Sequence, residues 1–331
     1  MRGSHYRGWK WAVTIIILLV AVAGGLTWVH INNYQFSKSI PYSVATPAYN
    51  RHVSMWEPLI KEKTVAELWA ELNSHSVLLI RRQDQAVLLD INSGDRVYPA
   101  SLSKIMTAIV ALENIPNLNS RIRMPEHIYP VLQLADASLA GFLPQEEVRT
   151  LDLLYGALLP SGAEACSGLA LLAAGSETQM VEMMNLKAEE LGMLDSHFAN
   201  INGLHDENHY STTHDMAILL EYALGNATFR EIFTTNRYTS RSTELHPEGI
   251  ILQSTMFAQL NSPEWNHRGL AIMGGKTGYT RRAGLCLASL ALSGEQEYIL
   301  ITTGAYNDEN AETALPLHIM DAILIYDYYL P

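Results

Sequence analysis

"SVLLIRRQDQAVLLDINSGDRVYPASLSKIMTA", residues 76–108, changes texture half-way along. Its first part reads as two strands around the polar turn "RQDQ" at 82–85, because aliphatic and β-branched runs bounded by turn residues favour extended chain. Its second part, "YPASLSKIMTA" at 98–108, starts an amphipathic helix with Ser101, Ser103 and Lys104 at its head. A hairpin therefore leads directly into a polar helix start. A serine and a lysine three residues apart share one helix face about a turn apart.

Upstream, "TVAELWAELN" carries Thr64 and Glu67 in the T-x-x-E pattern of a helix start. Downstream, from Ser101 to about residue 235, apolar residues recur at helical spacing, as in "LDLLYGALL", "ACSGLALLAA" and "QMVEMMNLKAEELGML". Thr212 or Thr213 caps the helix "HDMAILLEYAL". The texture then returns to strands in "GLAIMGGKTGYT", "AGLCLASLALSG" and "EYILITTGAY", and "ALPLHIMDAILIYDYYL" forms a last helix. Strands at both ends with helices between predict an α+β fold: one sheet assembled from distant segments, with a helical block inserted into it.

With 331 residues, 48% of them hydrophobic, the chain can bury a sizeable core. Its 22 Lys+Arg against 34 Asp+Glu give a net charge of −12 and no basic tract, which argues against nucleic acid as a partner. Arg2, Arg7 and Lys10 make residues 1–10 a basic cytoplasmic segment. The uncharged run 11–29 that follows would be roughly 28 Å long as a helix, close to a bilayer core. It reads as a transmembrane anchor or a secretory signal, and the anchor is favoured because the apolar run continues past the small-residue "AVA" at 21–23, with Trp11 and Trp28 near its ends. Either way, the positive-inside rule puts the rest outside the cytoplasm. Residues 30–63, with Pro41, Pro47 and Pro58, read as a linker, and the folded domain spans 64–331. Cys166 and Cys286 are two small core thiols or one bridge, and the sequence leaves this open.

A serine hydroxyl attacks only when a base takes its proton, and a lysine serves as that base only if burial or a nearby positive charge lowers its pKa. Alone, S-x-x-K is a capped helix with a solvated lysine. Two later segments change this. "LLPSGAEAC" at 158–166 puts Ser161 in a Pro/Gly-punctuated loop between helices. "GGKTGYT" at 274–280 ends a strand with Lys276, Thr277 and Gly278, whose glycines admit a close ligand backbone.

The order Ser101/Lys104, Ser161, Lys276/Thr277/Gly278 resembles the penicillin-binding serine acyltransferases. More narrowly, with "NINGLHDENHYSTTHDMAILLEYAL" and "GGKTGYTRRAGLCLAS" also in order, residues 64–331 resemble the low-molecular-mass D-alanyl-D-alanine carboxypeptidases, peptidase S11. The resemblance implies a β-lactamase/transpeptidase-like fold with a mainly antiparallel sheet. It implies Ser101 as the acylated nucleophile, Lys104 as general base and Ser161 as proton relay. It further implies Lys276, Thr277, Gly278 and Tyr279 as substrate-binding residues, with backbone N–H groups of Ser101 and Tyr279 as the oxyanion hole. Ser103 drops out as the intervening residue. The implied partners are peptidoglycan stem peptides ending in D-Ala-D-Ala, β-lactams as acylating inhibitors, and the membrane through the N-terminal helix. No cofactor and no metal is implied. The family's frequent C-terminal β-domain has no counterpart in residues up to Pro331.

One position departs from the family pattern. Its second motif is Ser-x-Asn, and here it reads Ser161-Gly162-Ala163, so a methyl group replaces an amide that orients substrate and lysine. Losing one such bond costs about 1–3 kcal/mol if its partners stay unpaired. The rival readings are a catalytically weakened penicillin- or peptidoglycan-binding homologue and a class A β-lactamase, and the latter lacks support because no E-x-x-L-N segment is present. His205, Asp206, His209, His214 and Asp215 raise the thought of a zinc peptidase, but their spacing is irregular and no H-E-x-x-H occurs. Arg281 and Arg282 match no family role, and trimming of a glycopeptide antibiotic's target is chemically compatible with the carboxypeptidase reading.

Overall fold

The computed structural model describes residues 65–260, 265–267, 269–306 and 316–330. The expected anchor, the linker and Thr64 of the first helix cap lie outside these residues. Among the described residues, no helix is long and apolar enough to cross a membrane.

The sheet draws on both ends of the chain. Helix α1 (Val65–Glu71) precedes the hairpin of β1 (Ser76–Arg81) and β2 (Ala86–Ile91), and far downstream follow β7 (Trp265–His267), β8 (Leu270–Thr280), β9 (Gly284–Ser293) and β10 (Gln296–Ala305). With β3 (Arg121–Arg123) and β4 (Glu147–Arg149) forming one separate pair and β5 (Arg237–Thr239) and β6 (Ile251–Gln253) another, the order in the main sheet is β2-β1-β10-β9-β8-β7. Every pairing in it is antiparallel.

Period-2 geometry explains why these strands read as near-continuous apolar runs. Leu78, Ile80, Leu290, Ile299 and Ile301 point into the core shared with the helical block. Their neighbours Val77, Leu79, Leu287, Ala291 and Leu300 point the other way, onto Ile319, Ile325 and Tyr326 of the C-terminal helix Leu317–Tyr329. Each such leucine or isoleucine contributes about 1.5–3 kcal/mol by leaving water. Edge strand β2 alternates half-buried and buried residues instead, as expected where one face is less covered.

In sequence, the helical block lies between the two groups of strands that pair into this continuous sheet. Helix α2 (Lys104–Asn114) buries every residue from Lys104 to Ala111. Helices α3 (Ile128–Leu134) and α4 (Thr150–Leu158) lead to α5 (Ala163–Ala174), which packs against both α2 and α4. Its small apolar residues on all sides are what a central helix needs to let neighbours approach. Thr212 caps the helix Thr213–Leu224, accepting from the Asp215 backbone N–H at 3.0 Å.

Two details differ from the sequence reading. Within the expected helical block, Arg121–Arg123 pairs with Glu147–Arg149, and Arg237–Thr239 pairs with Ile251–Gln253 just after it; three-residue strands are too short to show a period. Ser101 does not lie in the α-helix: Ala100–Ser103 is a 3-10 turn, and the α-helix begins at Lys104.

Candidate active site

The 3-10 turn decides where Ser101 points. Residues i and i+3 eclipse in that geometry, so Ser101 stands directly over Lys104. The Lys104 Nζ and Ser101 Oγ atoms are 2.8 Å apart. Ala100, just before, has φ +48°, a left-handed conformation that costs a non-glycine residue about 1–2 kcal/mol. Strain of this kind persists only where surrounding contacts over-determine it.

Lys104 is 3% exposed, and the Asn202 carbonyl accepts from its Nζ at 2.6 Å. Burial pushes the Lys104 ammonium below its ordinary pKa, while the Cys166 and Glu164 side chains oppose this. Of the two causes the sequence allowed, burial and a nearby positive charge, burial is thus the larger. A neutral amine that gives one N–H to Asn202 has its lone pair free for the serine proton.

Ser161 sits in the connection between α4 and α5 with φ +69°, a second strained non-glycine residue at this site. Lys276, fully buried on β8, donates from Nζ to Ser161 Oγ at 3.0 Å and to the Thr277 carbonyl at 2.7 Å. Burial first and Lys104 second hold Lys276 well below its ordinary pKa, which puts the two lysines within electrostatic reach of each other. The Cys166 thiol feels both lysines and Glu164, and burial pushes it up to about 12.

Strand β8 runs past Ser101. A β-carbon on Gly278 would lie 3.1 Å from the Ser101 backbone nitrogen and 3.2 Å from the Ala100 Cβ, so glycine lets the strand approach the turn. Strand β7 pairs β8 only from Leu270 to Ile272, and among the described residues no strand pairs the same edge at 274–280. That stretch offers backbone groups to an extended ligand. Thr277 is buried, with its Oγ1 2.6 Å from Thr255 Oγ1, and Tyr279 is exposed.

Ala163 is the first residue of α5 and is 1% exposed, its N–H donating to the Ser138 carbonyl at 2.8 Å. Its neighbour Glu164 is fully buried. The Glu164 Oε1 atom accepts from the backbone N–H groups of Ala140, Gly141 and Phe142 at 2.6, 2.8 and 3.3 Å, which fixes the 138–142 loop beside Ser161. Arg281 and Arg282 are exposed.

Sequence reasoning missed Asn202, Thr255 and Glu164, and gave Ser103 no partner. Ser103 is fully buried and donates to the Ala100 carbonyl at 2.8 Å, and its Oγ lies 2.6 Å from Nε2 of His209. The "NING" turn at 200–203 was the available signal for Asn202, since Asn-Gly marks a tight turn whose carbonyl can point inward. The histidine-rich loop is a scaffold: Asp215 accepts from the Asp195 N–H and the Ser196 hydroxyl, and His209 faces Ser103. Among the described residues, no group of three or more His, Cys, Asp or Glu side chains is placed to hold a metal ion. Cys166 and Cys286 are both buried and free.

Comparison with known proteins decides the family. The family model of peptidase S11, D-alanyl-D-alanine carboxypeptidase, matches residues 61–307. The chain belongs to this family. Among curated relatives, D-alanyl-D-alanine carboxypeptidase DacF of Bacillus subtilis is 32% identical over 252 residues, 73% of this chain and 60% of the relative. DacD of Escherichia coli is 30% identical over 253 residues, covering 73% of this chain and 61% of the relative. The chain thus spans about three fifths of the length of these peptidase S11 relatives. In structure it is similar to the Streptomyces K15 DD-transpeptidase, with a TM-score of 0.68 and 25% identity over 78% of this chain and 97% of that one. A D-alanyl-D-alanine carboxypeptidase of Mycobacterium tuberculosis H37Rv shares the peptidase S11 chain's fold, with a TM-score of 0.66, 24% identity and coverage of 78% and 91%.

Proposed function

We propose that this S11 protein is a serine-type D-alanyl-D-alanine carboxypeptidase that releases the terminal D-alanine of peptidoglycan pentapeptides through an acyl-Ser101 intermediate. The observation that carries the reading is the 2.8 Å approach of a buried, pKa-lowered Lys104 to Ser101. Relatives named for this activity support it.

Neutral Lys104 takes the Ser101 proton as Oγ bonds to the penultimate D-alanine's carbonyl carbon. Backbone N–H groups of Ser101 and Tyr279 receive the developing oxyanion, and one such donor is worth about 2.7–4 kcal/mol. The tetrahedral intermediate then breaks its C–N bond, and the proton taken up by Lys104 passes through the Ser161 hydroxyl to the departing D-alanine nitrogen, which leaves Ser161 protonated and Lys104 neutral again. Water, deprotonated by the same lysine, releases the shortened peptide from Ser101. Lys276 meets the substrate's terminal carboxylate, whose negative charge opposes the effect of burial and favours the protonated lysine. Thr277, Gly278 and Tyr279 line the strand edge along which the peptide lies.

β-Lactams acylate Ser101 in the same way. The basic segment 1–10 and the apolar run 11–29 hold the enzyme in the cell membrane with its catalytic domain outside the cytoplasm. D-Alanine release from a tripeptide ending in D-Ala-D-Ala tests the activity: release is expected, and penicillin labelling without release at any pH would favour a binding homologue weakened at Ala163.

A further inference from the structure

The nucleophile turn and the loop that holds the base are separate pieces of chain, joined by a side chain that neither motif contains. His209 Nδ1 accepts from the backbone N–H groups of Ala199 and Asn200 at 3.1 and 3.3 Å. Accepting at Nδ1 leaves the ring proton on Nε2, so Nε2–H donates to Ser103 Oγ at 2.6 Å. The Ser103 hydroxyl in turn donates to the carbonyl of the strained Ala100. Directions along this chain are consistent only for a neutral ring. Beyond the histidine, the Asn200 side-chain oxygen accepts from the Gly203 N–H at 2.8 Å, and the intervening Asn202 carbonyl holds Lys104.

We propose that His209 and Ser103 are positioning residues: together they fasten the turn carrying Ser101 to the loop carrying the Asn202 carbonyl, and so set the separation of nucleophile and base. The proposal rests on the serine acyltransferase reading and adds two residues to its machinery. Neither residue reaches the reacting atoms, and both are buried. The His209 ring is also suited to stay neutral: burial, with His197, Lys104 and His205 adding to it and Asp206 opposing, lowers it to about 4. A proton on Nδ1 would turn an acceptor into a donor facing two N–H groups.

The test uses the full-length protein and the rate constant for acylation by a fluorescent penicillin, measured from pH 5 to 10. Ser103→Ala removes the link, and His209→Asn keeps an acceptor for the 199–200 backbone but falls short of Ser103. Each is expected to slow acylation about tenfold or more, since small misplacements at a reacting centre cost up to roughly a hundredfold. In both, the acid limb of the profile moves to higher pH, because a loosened loop lets water reach Lys104 and lets its pKa rise. Ser103→Thr, which keeps the hydroxyl, restores the rate. Acylation of both loss variants within twofold of wild type, with an unmoved acid limb, overturns the proposal even if their melting temperatures fall. If Ser103→Ala does not fold, His209→Asn decides by the same criteria. Wild type that is never acylated sinks the underlying reading instead.

Discussion

The backbone of Gly203 lies flat against the carbonyl of Ala100, with no room for a β-carbon between them. Gly203 also has φ +81°. Gly203→Ala therefore has two costs, a left-handed alanine and a displaced 100–103 turn, and should destabilise by about 2–4 kcal/mol. Thermal melting together with penicillin labelling checks this: the expected result is a lowered melting temperature and lost acylation even in the folded fraction.

A lysine whose pKa burial has lowered is neutral above that value and protonated below it. Acylation should therefore rise with pH through the lowered Lys104 value and reach its plateau below the ordinary lysine value of 10.5. Lys104→Ala should lower the acylation rate by about 10²–10⁴, the range for loss of a positioned base. Stopped-flow acylation against pH measures both.

At Ala163 a buried methyl stands where the family pattern has an amide. Ala163→Asn should raise turnover of a D-Ala-D-Ala tripeptide by about tenfold, one hydrogen bond's worth of transition-state stabilisation. Unchanged kcat in a variant that folds would show that the 138–142 loop and α5 already supply what the amide does elsewhere.

Glu164 gives a stability prediction with a definite sign. Burial raises its pKa above the ordinary 4.5, while the backbone N–H groups pull it down, and among the described residues its Oε2 atom has no hydrogen-bond partner. A raised folded-state pKa means stability that is present at low pH and lost as pH rises through the raised value. Glu164→Gln keeps the accepting oxygen and removes the charge, so melting temperature should lose that decline and match or exceed wild type at pH 8. A variant whose stability falls from pH 5 to pH 8 as much as that of the wild type would contradict this.

Much of this was legible in the sequence. The hairpin at 76–91 and the long C-terminal strands carry enough apolar residues for their period and flanking turns to be read, and S-x-x-K gained meaning from Ser161 and Lys276. What stayed hidden depends on contacts between distant segments. Ser103 reads as a spacer until His209, 106 residues on, is found 2.6 Å away. Whether burial or a nearby positive charge lowers the Lys104 pKa stayed open in the sequence; burial dominates, and burial is a property of packing that no local pattern encodes. The 3-10 turn under Ser101 was missed for a related reason: Ala100 adopts a conformation its own chemistry disfavours while packed against the distant Gly203 and Gly278.

Intact-mass analysis after incubation with benzylpenicillin, followed by peptide mapping, is the most direct test of Ser101 as nucleophile. The expected result is one adduct of the drug's full mass, mapped to Ser101, absent in Ser101→Ala and accompanied by lost D-alanine release. An adduct on another residue, or D-alanine release that survives in Ser101→Ala, would contradict it.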